Sequence, residues 1–177
     1  MIRLKEKRGE SMKITELSGI YEVKAAGEED IPDILRLCKG NPVYYQYCPP
    51  QVSEENIRED MVKLPPNKSK EDKFYLCLRD KGRLAAVMDL ILKYPDEETA
   101  FIGFFMVEKG YQGKGTGSRI VGDVLECLKR EFSKVRLGYV KGNEQSRCFW
   151  EKNGFVPTGK VVKQDLYEIV MMEKILK

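Results

Sequence analysis

Histidine is absent from all 177 residues. That absence excludes Ser-His-Asp and Cys-His nucleophilic catalysis and any His-Glu-x-x-His metal site. Proton transfer must then use carboxylates, tyrosine, lysine, cysteine or water. Long apolar runs are also lacking: none approaches the roughly 18 residues that a bilayer-spanning helix needs. The N-terminus has no apolar core of the kind a signal peptide carries. A cytoplasmic protein with no membrane partner is therefore expected. Charge of one sign is scarce, since 31 basic and 28 acidic residues leave a formal net charge of +3. This argues against nucleic acid as the main partner. The cysteines, at 38, 48, 77, 127 and 148, are odd in number and never spaced Cys-x-x-Cys. Neither a disulfide framework nor a zinc site fits, and no metal is expected. The thiols read as reduced and mostly buried.

What remains is an ordinary globular composition, 42% hydrophobic and 33% charged, with length for one domain. Residues 1–13 are polar and basic without periodicity, and are expected to be a disordered extension before a single domain over 14–177. The run Arg8-Gly9-Glu10-Ser11-Met12 reads like a translated ribosome-binding site followed by a start codon. Met12 is thus a candidate native start, and the intact mass of protein made from its own gene checks it.

Residues 20–26 alternate as a first strand. Asp30 reads as a helix N-cap with Pro32 in the first turn, and Ile31, Ile34, Leu35 and Cys38 share a helical face. Gly40-Asn41-Pro42 stops that helix. A tyrosine-rich loop follows, with Tyr44, Tyr45 and Tyr47, and Ser53 caps a second helix over 54–63. Strands are expected at 74–78, 84–92 and 100–107, the first two joined by an Asp80-Lys81-Gly82 turn. Gly103 inside the third marks a bulge or a close backbone approach. A long helix over 116–132 carries Ile120, Val121, Val124, Leu125, Leu128 and Phe132 on one face. A strand at 135–140, a short helix at 143–152 ended by Asn153-Gly154, and strands at 155–163 and 166–174 close the chain. The order predicts an α/β fold of the α+β kind: a single mixed, mostly antiparallel sheet of seven strands with helices on both faces.

Between the most apolar strand and the long helix lies Gln112-Gly113-Lys114-Gly115-Thr116-Gly117. A helix N-terminus offers unpaired N–H groups and partial positive charge, and glycines let that backbone approach an anion. Phosphate or pyrophosphate is the natural ligand. A Walker A loop ending at Gly113-Lys114 would need glycine at 108 and Ser or Thr at 115, where the chain has Glu108 and Gly115. A dinucleotide fingerprint from Gly113 would need glycine at 118, which is Ser118.

The segment resembles motif A of the GNAT N-acetyltransferases, Gln/Arg-x-x-Gly-x-Gly/Ala. Downstream, Asn143-x-x-Ser146 and Phe149-Trp150-Glu151-Lys152-Asn153-Gly154-Phe155 resemble motif B of the same family. The resemblance implies the GNAT acyltransferase fold, in which the fourth and fifth strands splay apart around acetyl-coenzyme A. The activity it implies is transfer of acetyl directly to a primary amine, of a small molecule or a peptide, by a monomer or homodimer. It places the pantetheine arm on the backbone near Met106 and Val107, the pyrophosphate on Gln112, Gly113, Lys114, Gly115, Thr116, Gly117 and Ser118, and Asn143 and Phe149 beside the arm. Its acceptor side falls on Tyr44, Tyr45 and Tyr47.

Here the chain departs from the family pattern. Trp150 stands where many members have the tyrosine that protonates the leaving thiolate, and an indole N–H donates without titrating. The positions that carry a basic glutamate in other members align with Phe101 and Gly138. The remaining candidates are Asp89, a carboxylate in the apolar run Val87-Met88-Asp89-Leu90-Ile91, Tyr139, and Glu98 near the acceptor. Asp89 is costly to bury unpaired and reads either as a base or as a structural residue. With acid and base missing, a second reading is an acyl-coenzyme A-binding sensor without turnover.

Overall fold

Tyr75 and Cys77 alternate with Leu76 and Leu78 along one strand, and all four are buried. Such a strand has to be covered on both faces. The computed structural model, which describes residues 12–177, shows how. Its elements are β1 (Glu22–Ala25), α1 (Ile31–Lys39), α2 (Pro42–Tyr47), α3 (Glu54–Val62), β2 (Lys73–Asp80), β3 (Arg83–Ile91) and β4 (Thr99–Val107), then α4 (Thr116–Leu128), β5 (Lys134–Val140), α5 (Glu144–Lys152), β6 (Val156–Lys163) and β7 (Glu168–Ile175). The strands form one seven-stranded sheet in the order β1-β2-β3-β4-β5-β7-β6. All neighbours are antiparallel except β4 and β5, which are parallel. No described helix is long and apolar enough to cross a membrane.

One face packs on α4 and α5 through Leu76, Leu78, Met88, Ile120, Val124, Leu128, Phe132 and Phe155. The other packs on α1 and α3 through Ile31, Ile34, Leu37, Ile57, Tyr75, Cys77 and Val87. The face expected for the long helix is buried at every position named for it. On α1 the buried set is Ile31, Ile34, Leu37 and Cys38, with Leu35 only partly covered.

Three local expectations are corrected. Asp30 does not cap α1 with its side chain, because the chain enters through a 3-10 turn, Glu28–Asp30. Its carboxylate instead accepts from Gly27 N at 2.9 Å and Arg79 Nη2 at 2.7 Å. The tyrosine-rich loop forms α2, started by Pro42. Met12 and Lys13 belong to the fold: Met12 N donates to Glu131 Oε1 at 3.0 Å, and Lys13 precedes the 3-10 turn Ile14–Glu16. The rest of the expected extension, 1–11, lies outside the described residues. Ser53 caps α3 as expected, accepting from Asn56 N at 3.1 Å.

Candidate active site

The parallel pairing of β4 and β5 is short. It joins Thr99, Ala100, Phe101 and Ile102 to Lys134, Val135, Arg136 and Leu137 and stops there. Past Ile102 the two strands run on unpaired with each other, so β4 has a free edge inside the molecule. Strand backbones alternate in direction. Glu108 N donates to Ala85 O at 2.8 Å, so by that alternation Met106 also turns its polar groups to β3. Those of Phe105 and Val107 turn to the gap. Val107 O is already used, accepting from Gln112 Nε2 at 2.8 Å and Asn41 Nδ2 at 3.2 Å. The N–H groups of Phe105 and Val107 and the carbonyl of Phe105 remain.

The glycine loop continues from that edge. Gly113 and Gly115 have φ of 72° and 77°, a left-handed conformation that costs other residues energy, and α4 begins at Thr116. Gly117 is helical, and a Cβ there would stand 3.1 Å from the Phe149 ring and 3.3 Å from Val107 Cγ2. Across the gap stands α5. Asn143 caps it, its Oδ1 accepting from Ser146 N at 3.1 Å, which leaves Nδ2 as the group able to meet a ligand. Together these elements line a cleft of about 410 Å³, walled by Phe105, Met106, Val107, Gln112, Gly113 and Gly115 through Ser118 on one side and by Asn143, Ser146, Phe149, Trp150 and Lys152 on the other.

Several expected residues take unexpected stations. Gln112 turns its side chain inward to Asn41 Oδ1 at 2.6 Å and to Val107 O, fixing the loop to the end of α1. Lys114 does not line the cleft; its Nζ donates to Gly110 O at 2.9 Å. Ser118 Oγ accepts from Asn153 Nδ2 at 3.2 Å. Trp150 is 6% exposed, in an aromatic cluster with Phe105, Phe149 and Phe155 at centroid distances of 6.0, 4.9 and 5.3 Å. Tyr139 packs on the core under α4 and α5 and is not a cleft residue. Glu98 is exposed at the far end of β4, where its carbonyl accepts from Ser133 N. Asp89 lies on the α1/α3 face with Lys73 Nζ 2.8 Å from both its oxygens. Burial pushes its carboxyl up and Lys73 opposes the shift.

Tyr44 reaches the cleft, its ring 5.7 Å from Phe104 and 5.0 Å from Tyr45. Tyr47 approaches Gly142, 3.7 Å from where a Cβ would stand. Burial pushes the hydroxyls of Tyr44 and Tyr45 up. That of Tyr167, on the β6–β7 turn, is pushed up to about 12, first by its bond with Cys48 and then by burial. Every one stays protonated at neutral pH. None of the described residues lining the cleft is a carboxylate. Asn41, Lys73 and Tyr167 were not singled out from sequence. Asn41 reads there as a helix stop, and only the folded chain shows its second bond to β4.

Comparison with known proteins gives this geometry a family. The model of the acetyltransferase (GNAT) family matches residues 34–155, which include the loop, β4, β5 and α5. The chain belongs to that family. A mycothiol acetyltransferase of Beutenbergia cavernae is 35% identical over 82 residues; the match covers 45% of this chain and spans only 27% of that relative's length. An acetyltransferase from Thermus thermophilus superposes with a TM-score of 0.70 at 17% identity, over 88% of this chain and 96% of that one. Spermidine N-acetyltransferase from Vibrio cholerae, solved with CoA and spermine, gives 0.68 at 17% identity, over 90% and 97%. At such identities these two structures establish the fold.

Proposed function

We propose that this chain moves the acetyl group of acetyl-coenzyme A directly to a primary amine. The observation that carries the reading is the free inner edge of β4, running straight into a left-handed glycine turn at the N-terminus of α4. An acyl-pantetheine arm fits the edge as a surrogate strand, on the Phe105 and Val107 groups. Its pyrophosphate fits the amides of 112–117. Asn143 Nδ2 and the Phe149 ring flank the arm. The amine enters from the Tyr44 side, where aromatic faces suit a cation.

The amine nitrogen attacks the thioester carbonyl, a C–N bond forms, the C–S bond breaks, and coenzyme A leaves as thiolate. Holding the reactants together supplies most of the acceleration, and a β4 N–H polarises the carbonyl. With no carboxylate on the cleft wall, the ammonium proton passes to water, and the thiolate collects its own from water. The Trp150 indole acts as a donor only. Five free cysteines suit a reducing compartment, the cytoplasm.

The bare cleft wall also favours a second reading, an acyl-coenzyme A sensor without turnover. Calorimetric titration of acetyl-coenzyme A and desulfo-coenzyme A, followed by an amine panel with thiol detection, separates the two. Micromolar binding with turnover is expected. Binding without turnover on any amine selects the sensor, and no binding refutes both.

A further inference from the structure

Lys73 and Asp89 form an ion pair that acetyl transfer as described leaves unused. Their side chains are 5% and 12% exposed, and neither lines the cleft. The pair is diagonal across β2 and β3: Lys73 stands opposite Ile91, while Asp89 stands opposite Tyr75 on β2 and Phe104 on β4. At this point the β3–β4 register slips. Asp89 pairs with Phe104 and Leu90 with Ile102, so Gly103 is the extra residue of a bulge. A Cβ on Gly103 would stand 2.7 Å from Asp89 Oδ2. The carboxylate thus rests on the bare Cα of the bulge. Ile102, one residue earlier, is the last β4 residue paired to β5. Ion pair, bulge and onset of the splay coincide.

We propose that the Lys73–Asp89 pair is a positioning device that props the Gly103 bulge and so sets how the next β4 amides, those of Phe104 and Phe105, are held where the strands part. Asp89 is then a positioning residue and not the base. Lys73 anchors both carboxylate oxygens beneath the strand, and glycine is needed at 103 because any side chain would displace the carboxylate. An unpaired buried charge is costly, so removing either partner disturbs the bulge more than removing both.

This inference rests on the acetyl-transfer reading, and its test has one arm that does not. Misplacing a reacting geometry by about 1 Å costs on the order of 100-fold. Asp89→Asn is therefore expected to lower kcat by roughly 10- to 100-fold, with the KM for acetyl-coenzyme A unchanged. The acidic limb of its kcat/KM profile is expected at the wild-type pH. Gly103→Ala should give the same loss alone and little further loss on top of Asp89→Ala, where the carboxylate it would strike is gone. The paired change Lys73→Met with Asp89→Leu, which removes both charges at similar volume, should keep the fold and recover part of the rate. Amide hydrogen exchange at Phe104 and Met106, whose N–H groups turn to β3, is the arm independent of turnover: both should exchange faster in Asp89→Asn, with β2 unaltered. Disappearance of the acidic limb would make Asp89 the base and overturn the proposal. Wild-type kcat in Asp89→Asn, or unaltered exchange at Phe104 and Met106, would overturn it equally. A wild-type protein that releases no thiol with any amine defeats the acetyl-transfer reading instead, and the exchange arm still judges the pair.

Discussion

Gly115 and Gly117 stand in the same loop and are glycine for different reasons. Gly115 has φ of 77° and open space where a Cβ would go, so its demand is conformational. Gly117 is helical and crowded by Phe149 and Val107, so its demand is room. Gly115→Glu places strain, bulk and negative charge where a pyrophosphate would sit. Its affinity for desulfo-coenzyme A should fall at least about 100-fold, roughly 3 kcal/mol. The strain itself costs about 1–3 kcal/mol, and each kcal/mol lowers Tm by roughly 2–4 °C in a chain of this size. Calorimetry and a melt on the same sample separate the two effects. A protein melting within that range and binding as wild type refutes the site. Gly117→Ala should do the reverse, lowering Tm through overpacking, about 1–3 kcal/mol, with a smaller loss of affinity. Sequence spacing shows three glycines in one loop expected to bind an anion, and it cannot sort them, because the crowding at Gly117 comes from α5 and β4. Asp89 is legible as an oddity in an apolar run. Its partner Lys73 is not, since the two meet only through the β2–β3 register.

At the scale of elements, α2 shows where local reading fails. Six residues, Pro42 to Tyr47, are too few to carry a helical period, and three tyrosines are poor helix formers. What holds α2 is its surroundings. Asn41 ties its start to Leu37 O at 2.9 Å and to β4 at Val107 O. Tyr44 sets its ring edgewise on Phe104 of β4, while Tyr47 approaches Gly142 after β5. The short helix therefore lies over one end of the cleft, touching β4 and the turn that follows β5. Aromatic pairs of this kind contribute about 0.5–1.5 kcal/mol, and a cation over a desolvated ring adds about 2 kcal/mol. Tyr44→Ala should raise the KM for the amine by roughly tenfold or more and leave the KM for acetyl-coenzyme A within about twofold. Tyr44→Phe keeps the ring face and should stay near wild type, because the hydroxyl is protonated throughout the neutral range. Steady-state kinetics with the amine found in the panel check both. A defect in Tyr44→Phe as large as in Tyr44→Ala would assign the work to the hydroxyl.

Across the whole molecule, the strands and long helices were readable because each carries its own period, and the sheet order was not. That β7 lies between β5 and β6 depends on long-range pairing that no local pattern reports. The splay itself was expected only through family resemblance, since it arises from where the β4–β5 register ends. The tie between α1 and the sheet was equally hidden. Asp30, 1% exposed at the start of α1, accepts from Arg79 of β2 at 2.7 Å and pairs with Lys24 of β1 at 3.3 Å. Burial alone would raise its carboxyl, but the Gly27 N–H, Arg79 and Lys24 together outweigh it and hold the group below the ordinary aspartate range. A carboxyl depressed in the folded state stabilises most fully above its unfolded value, near 3.9. That contribution drains as pH falls through the ordinary range toward the lower folded value. Asp30→Asn breaks a buried pair while keeping its shape, at a cost of about 3 kcal/mol, so Tm at pH 7 should drop by roughly 6–12 °C. Melts from pH 7 down to pH 2 should show the gap between the two proteins narrowing on the acid side, because acid protonates the unfolded aspartate before the depressed folded one and so removes what the charge contributes. A gap that stays constant down to pH 2 would mean that Asp30 holds α1 to the sheet through packing and hydrogen bonds alone, and that its charge contributes nothing to keeping that helix in place.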